Sequence, residues 1–239
     1  MADDSRRQLA LELPASTSYR AEDFVVGACN RAAHDLVVRW PDWPHFAIGL
    51  HGPAGAGKTH LAQIWAARAK ADVAGIERLR AAGPDAMAAA NRRWVLELDS
   101  AGALADVDER SLFHLHNLVH ASEGALVYIS REPLVRRPTV LPDLRSRMAA
   151  CPAAAVGAPD DAVLAAVMAK LAADRQIVLG EAVIAIALQR MERSFAAVAA
   201  FVRALDARAL ADRRAIRPKL ALAVLDEIAE AANNEVGEA

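Results

Sequence analysis

The chain is poor in the residue types that mark several protein classes. Cysteine occurs twice in 239 residues, at Cys29 and Cys151. Two thiols so far apart form no disulfide framework and have no metal-ligand spacing, so both read as ordinary thiols. No apolar run approaches the roughly 18 residues that cross a bilayer, and the opening MADDSRR has no apolar h-region. An excess of charge is missing too: 28 Lys and Arg against 30 Asp and Glu leave a net charge of -2. That balance excludes a global basic field for nucleic acid or an anionic membrane. Aromatic residues make up only 5%, while the apolar fraction reaches 54% and is rich in alanine. Such a composition favours helices and argues against disorder along the whole chain. A cytoplasmic protein is expected, long enough for one sizeable domain or for a core with a smaller lid.

The texture changes twice along the chain. Residues 1–20 are polar and end in ASTSYR, the mark of a flexible tail. Residues 21–157 alternate short apolar runs (FAIGLHG, RRWVLELD, GALVYIS) with helical patterns such as THLAQIWAARA and ERSLFHLHNLVHAS. Strands of four to eight residues separated by helices predict an α/β core with a parallel sheet flanked by helices. After VGAPDD the strand signal ends. Asp160 or Asp161 caps a helix through AVLAAVMAKLAADR, and further helical patterns fill residues 158–239 as a small all-helical lid.

One stretch carries specific chemistry. GPAGAGKT, residues 52–59, matches G-x-x-x-x-G-K-[ST] in full, and it follows a strand and opens a helix. Glycines let backbone N–H groups turn inward around phosphate oxygens, and the helix adds its positive end. Gly52, Pro53, Ala54, Gly55, Ala56, Gly57, Lys58 and Thr59, with His60 behind them, are therefore the candidate phosphate cradle. In it Lys58 reaches the β- and γ-phosphates and Thr59 ligates Mg²⁺. Asp99, at the end of RRWVLELD, is the expected second metal residue. Glu97 is expected on the same strand face, inside the strand rather than at its lip, and so is not promoted to catalytic base. The next position, where a water-polarising carboxylate is needed for hydrolysis, holds Ser100. Ser130, at the tip of GALVYIS, is a candidate sensor of the γ-phosphate. Arg145 and Arg147 follow a proline-containing loop in LPDLRSRMAA. Exposed arginines are ordinarily just solvated, but one reaching into a neighbour's nucleotide site stabilises phosphoryl-transfer charge in trans.

Together these residues resemble an AAA+ ATPase of the DnaA clade. FVVGACNRAAHDLV, residues 24–37, is similar to the segment that precedes the P-loop in that family and lies near the adenine. The resemblance thereby implies base contacts for Phe24, Val25, Val26 and Asn30. LRSRM, residues 144–148, resembles the stretch whose last arginine is the arginine finger, which falls on Arg147. The cofactor implied is ADP or ATP with Mg²⁺. The sequence runs to EVGEA without a helix-turn-helix DNA reader, and on that ground it is expected to resemble the stand-alone Hda-type inactivators of DnaA. Membership there implies a negative regulator of replication initiation that stimulates ATP hydrolysis by DnaA and itself hydrolyses weakly or not at all. One departure is the lid: the position matched to the family's phosphate-sensing arginine falls near Ala199, flanked by Arg193 and Arg203.

The same resemblance gives a role to RQLALELP. Hda-type proteins carry a short QLxLxL peptide that docks on the DNA-polymerase sliding clamp, and Gln8, Leu9, Leu11 and Leu13 fit it, with Glu12 a departure. An extended peptide sends the three leucines to one side. An edge strand or an uninvolved tail is the plainer reading. DnaA and the clamp are thus the implied partners, DNA is reached through the clamp, and a homodimer is left open. A rival is a DNA-binding AAA+ initiation or loading factor that uses Arg213, Arg214, Arg217 and Lys219 on phosphates; a small-molecule P-loop kinase fits the lid texture poorly. In a pull-down with purified sliding clamp, Gln8→Ala/Leu9→Ala is expected to lose the capture seen with the intact protein. Equal capture by both would return residues 8–13 to a plain tail.

Overall fold

The computed structural model describes residues 21–100, 104–212 and 216–237. The candidate clamp peptide at residues 8–13 lies outside them, as do Arg213 and Arg214 of the basic cluster. In chain order the elements are α1 (Arg31–Val38), β1 (Ala47–His51), α2 (Lys58–Ala69), β2 (Asp72–Gly75), α3 (Ile76–Ala82), α4 (Pro84–Ala90), β3 (Arg93–Glu97) and α5 (Asp106–Ala121). β4 (Ala125–Ser130), α6 (Pro142–Ala150) and β5 (Ala153–Ala155) complete the sheet region, and α7 (Asp161–Ala173), α8 (Glu181–Arg190), α9 (Phe195–Asp212) and α10 (Pro218–Gly237) follow.

The five strands form one sheet in the order β2-β3-β4-β1-β5, and every neighbouring pair is parallel. A parallel sheet is covered on both faces, which is why its central strands read as unbroken apolar runs. All six residues of β4 are buried. Alternate side chains then feed two separate cores. Trp94, Leu96, Leu126 and Tyr128 face Leu112, Leu115 and Val119 of α5. Ile48, Leu50, Val95 and Val127 face Leu61 and Trp65 of α2 on the other side. Within α2 the buried positions Leu61, Ala62, Trp65, Ala66 and Ala69 make the helical stripe that lies on the sheet.

The last four helices hold a third core of their own, around Leu164, Met168, Val198, Phe201, Leu205 and Val224. Of the two aspartates expected to cap its first helix, Asp160 does so, accepting from Val163 N at 2.8 Å. The expected α/β sheet with a helical unit after it is the observed architecture. Within FAIGLHG the strand is Ala47–His51, and within RRWVLELD it ends at Glu97.

Two buried carboxylates tie the helices of one face together. Asp108 in the first turn of α5 receives Arg80 Nε at 2.7 Å and Nη2 at 2.6 Å, and accepts Ala105 N at 2.8 Å. Glu109, 2% exposed, accepts Val140 N at 3.0 Å and Leu141 N at 2.7 Å, which fixes the start of α6. Asp108→Ala removes three bonds to a side chain that is 1% exposed. The Arg80 guanidinium is partly solvated and can rehydrate, so the expected loss is about 1–3 kcal/mol, read as a lower Tm by thermal melting.

Candidate nucleotide site

The C-terminal ends of parallel strands, where neighbouring connections diverge, form the crevice in which such folds bind ligands. β1 ends there at His51, and the loop of residues 52–57 passes into α2, whose first residue is Lys58. Gly52 has φ 149°, and a Cβ on it would stand 2.0 Å from the Val156 carbonyl oxygen. Only glycine fits between β1 and the chain leaving β5. Gly57 has φ 94° and leads straight into the helix; a Cβ there would come within 3.2 Å of Phe195 in α9. The loop is therefore shaped from both sides, by the sheet and by the C-terminal helices.

Lys58 is 9% exposed, and its ammonium donates to the carbonyls of Gly52 and Pro53 at 2.7 Å each. Burial draws its pKa down, while Asp99 and Glu97 pull the other way. No carboxylate among the described residues lies within ion-pair distance of it. A buried cation at a helix N-terminus, hydrogen-bonded to carbonyls and without a carboxylate in contact, suits an anion of high charge. Beside it opens a cavity of about 540 Å³, walled by the loop residues from Gly55 to His60, by Asp23, Phe24 and Val25, and by α7 and α9. The volume lies within the roughly 300–1,000 Å³ range of small-molecule sites.

The acidic partner of Thr59 is Glu97. The Thr59 hydroxyl donates to Glu97 Oε1 at 3.1 Å. Because β3 stops at Glu97, that carboxylate stands at the strand's lip and not inside it, which corrects the expectation. Asp99 lies beyond the strand in a turn, where its charge still acts on Lys58. Its carboxylate faces Arg137, whose Nη1 donates to Oδ1 at 2.6 Å and whose Nη2 donates to Leu98 O at 2.9 Å, and it also accepts Arg131 N. Burial disfavours the Asp99 charge, but the Arg137 and Arg131 bonds and charges outweigh it and hold its pKa below the ordinary value. Asp99 thus fastens the turn after β3 to the loop after β4. No group of three or more metal-ligating side chains occurs among the described residues. Thr59 and Glu97 fit Mg²⁺, which ordinarily takes one or two protein oxygens and completes its shell with phosphate and water.

Other expected residues separate into those at the cavity and those away from it. Phe24 and Val25 line it, and Phe24 sets its ring edge-on to His60 with centroids 5.3 Å apart. Asn30 is 1% exposed and braces the preceding segment, donating to Val25 O at 3.0 Å and accepting Gly27 N at 2.9 Å. Neither Asn30 nor Val26 is among the cavity's described walls, and Pro53 and Ala54 form the exposed crown of the loop. Ser130 is paired in register with His51, but its hydroxyl turns to Glu132 O at 2.6 Å. Ser100 donates to Glu77 Oε2 at 2.8 Å and accepts Ile76 N at 3.0 Å, joining the turn after β3 to α3. Arg147 lies in the last turn of α6, exposed, and forms no part of the cavity. Arg193 pairs with Asp161 at 3.1 Å on the outer surface, whereas Arg203 lines the cavity.

Residues the sequence reading missed come from the far wall: Lys170, Arg175, Phe195 and Ala196, with Asp23 opposite. Lys170 Nζ meets Asp23 Oδ1 at 2.7 Å, bridging the segment before the P-loop to α7. The signal open to a reader was spacing: Phe195, Ala196, Ala199 and Arg203 repeat at helical intervals on one side of α9.

The architecture is the AAA+ P-loop fold. Domain III of the replication initiation protein DnaA from Thermotoga maritima is similar to it with a TM-score of 0.75 at 18% identity, covering 90% of this chain and 98% of that one. AMPPCP-bound DnaA from Aquifex aeolicus gives a TM-score of 0.67 at 18% identity, over 79% of this chain and 65% of that chain. The Thermotoga maritima RuvB Holliday junction branch migration motor gives 0.66 at 14% identity, over 87% and 72%. No protein-family model matches the sequence, and no curated protein matches it.

The two carboxylates near the loop are expected to behave differently when neutralised. Glu97→Gln weakens the Mg²⁺ dependence of nucleotide affinity and leaves the melting temperature nearly unchanged. Asp99→Asn keeps that dependence but lowers stability by about 1–3 kcal/mol, since Arg137 loses its charged partner. Titrations with and without Mg²⁺, alongside thermal melts, separate the two; the reverse pattern would return the metal to Asp99.

Proposed function

We propose that this protein is a nucleotide-binding AAA+ regulator of replication initiation that acts on DnaA. Adenine nucleotide, as ADP or ATP with Mg²⁺, is held by the loop at residues 52–59, with Lys58 on the terminal phosphates and Thr59 and Glu97 toward the metal. Its polyphosphate supplies the negative charge that the buried Lys58 lacks. The chain's own hydrolysis is weak, because the side chain after Asp99 is a serine engaged with Glu77 and Ile76. The likeness in fold to AMPPCP-bound DnaA supports the nucleotide class.

The observation that carries the regulatory reading is Arg147. Its guanidinium is exposed, has no hydrogen bond or ion pair among the described residues, and takes no part in this chain's own cavity. It rides on α6, whose start is fixed by the buried Glu109, so its position is set while its head is free. An arginine so placed serves a neighbouring molecule. Set against the nucleotide of DnaA, it offsets charge that develops on the transferred phosphoryl group. Residues 8–13 tether the protein to sliding clamps on DNA and raise its effective concentration near newly replicated DNA. DnaA-ATP is then converted to DnaA-ADP, and initiation is restrained.

A second reading draws on a DnaA structure with AMPPCP and single-stranded DNA, 18% identical over 79% of this chain and 64% of that one. Arg217 and Lys219 are exposed and available to phosphates. Direct DNA binding would show as a salt-dependent affinity for bare DNA in the absence of clamp. For the favoured reading, Arg147→Ala is expected to lose most of a stimulation worth about 10³- to 10⁵-fold in DnaA hydrolysis. Nucleotide and clamp binding remain intact in that variant. Undiminished stimulation would remove Arg147 from the mechanism.

A further inference from the structure

Four cations wall the cavity: Lys58, Lys170, Arg175 and Arg203. Three have local partners. Lys58 donates to two loop carbonyls, Lys170 pairs with Asp23, and Arg175 donates to Leu171 O at 3.1 Å with Asp206 3.9 Å away. Arg203 has neither a hydrogen bond nor an ion pair among the described residues, and it is exposed to the cavity. It sits on the helix that closes over the P-loop.

Its place along that helix restricts what it can touch. Phe195 packs at Gly57, so the first turn of α9 stands beside the phosphate end of the cavity. Ala196 and Ala199 continue that wall without any charge. Arg203 comes eight residues after Phe195, which is roughly 12 Å farther along a helix. Side chains tilt back toward the helix N-terminus and recover part of that distance. By that spacing Arg203 stands farther than Phe195 from the end of the cavity beside Gly57.

We propose that Arg203 is the lid's nucleotide-binding cation and that it contacts the ribose and innermost phosphate, the part that ADP and ATP share. This rests on the nucleotide reading of the cavity and goes beyond it. A lid that grips only the shared part does not distinguish the two nucleotides. The protein then holds the same closed form before and after any hydrolysis. Arg193, tied to Asp161 on the outer surface, takes no part.

Equilibrium titration with fluorescent ADP and with AMPPCP, both with Mg²⁺, tests this. Arg203→Ala is expected to weaken both ligands by the same factor, roughly tenfold, as for the loss of one charge-assisted contact. Arg203→Lys regains part of the loss, and Arg193→Ala has no effect. An exposed side chain leaves the melting temperature unchanged, so misfolding does not imitate the result. A loss confined to AMPPCP would put Arg203 at the terminal phosphate and overturn the proposal, as would unchanged affinity for both. Lys58→Ala separates the two levels: if it binds like the intact protein, or if the intact protein binds neither ligand, the nucleotide reading itself falls.

Discussion

Strand β1, paired with β4 on one side and β5 on the other, brings Gly52 to a point where the Val156 carbonyl leaves no room for a side chain. The rest of the site depends on that close approach. It turns the chain sharply out of the sheet and aims the loop at the N-terminus of α2. Lys58 is thereby buried beside carbonyls. Oriented dipoles and one desolvated ammonium in a single cradle have an attraction for anions that neither element has alone.

The cavity is completed from the other end of the chain. α9 presses Phe195 onto the glycine loop, and α7 reaches back to the segment before α1 through Lys170 and Asp23. Nucleotide at this place would touch the loop, the residues ahead of α1 and the helical unit at once. Its binding energy would hold those parts together, the ordinary linkage between a ligand and the state it prefers. Arg147 stands outside this arrangement, on a helix held by Glu109 across the sheet's other face. One face carries the cavity while another presents an exposed cation.

Which parts were legible in the sequence follows from where the signal is local. β1, β3 and β4 were readable because both faces of a central parallel strand are buried and the run must be apolar. β2 and β5 were not named in advance. DVAG and AAA carry no distinctive pattern, and β5 shows only Ala154 inward between two exposed alanines. Their pairing comes from the neighbouring strand's unpaired backbone, a partner chosen by geometry. The P-loop was legible in full, because its chemistry requires glycine and lysine at fixed spacing. The acid that stands beside Thr59 was not. Glu97 and Asp99 differ by two positions, and alternation assigned both to one face until the strand's end at Glu97 broke the period.

The sequence by itself determined the fold class, the loop that fits phosphate and the helical texture of the last third, since each depends on contacts between residues close in the chain. Tertiary structure alone decided that Glu97 meets Thr59, that Arg137 engages Asp99, and that Arg203 rather than Arg193 lines the cavity. Those outcomes depend on where a strand stops and which way a helix faces. Both are settled by packing between segments tens of residues apart, and no local pattern records it.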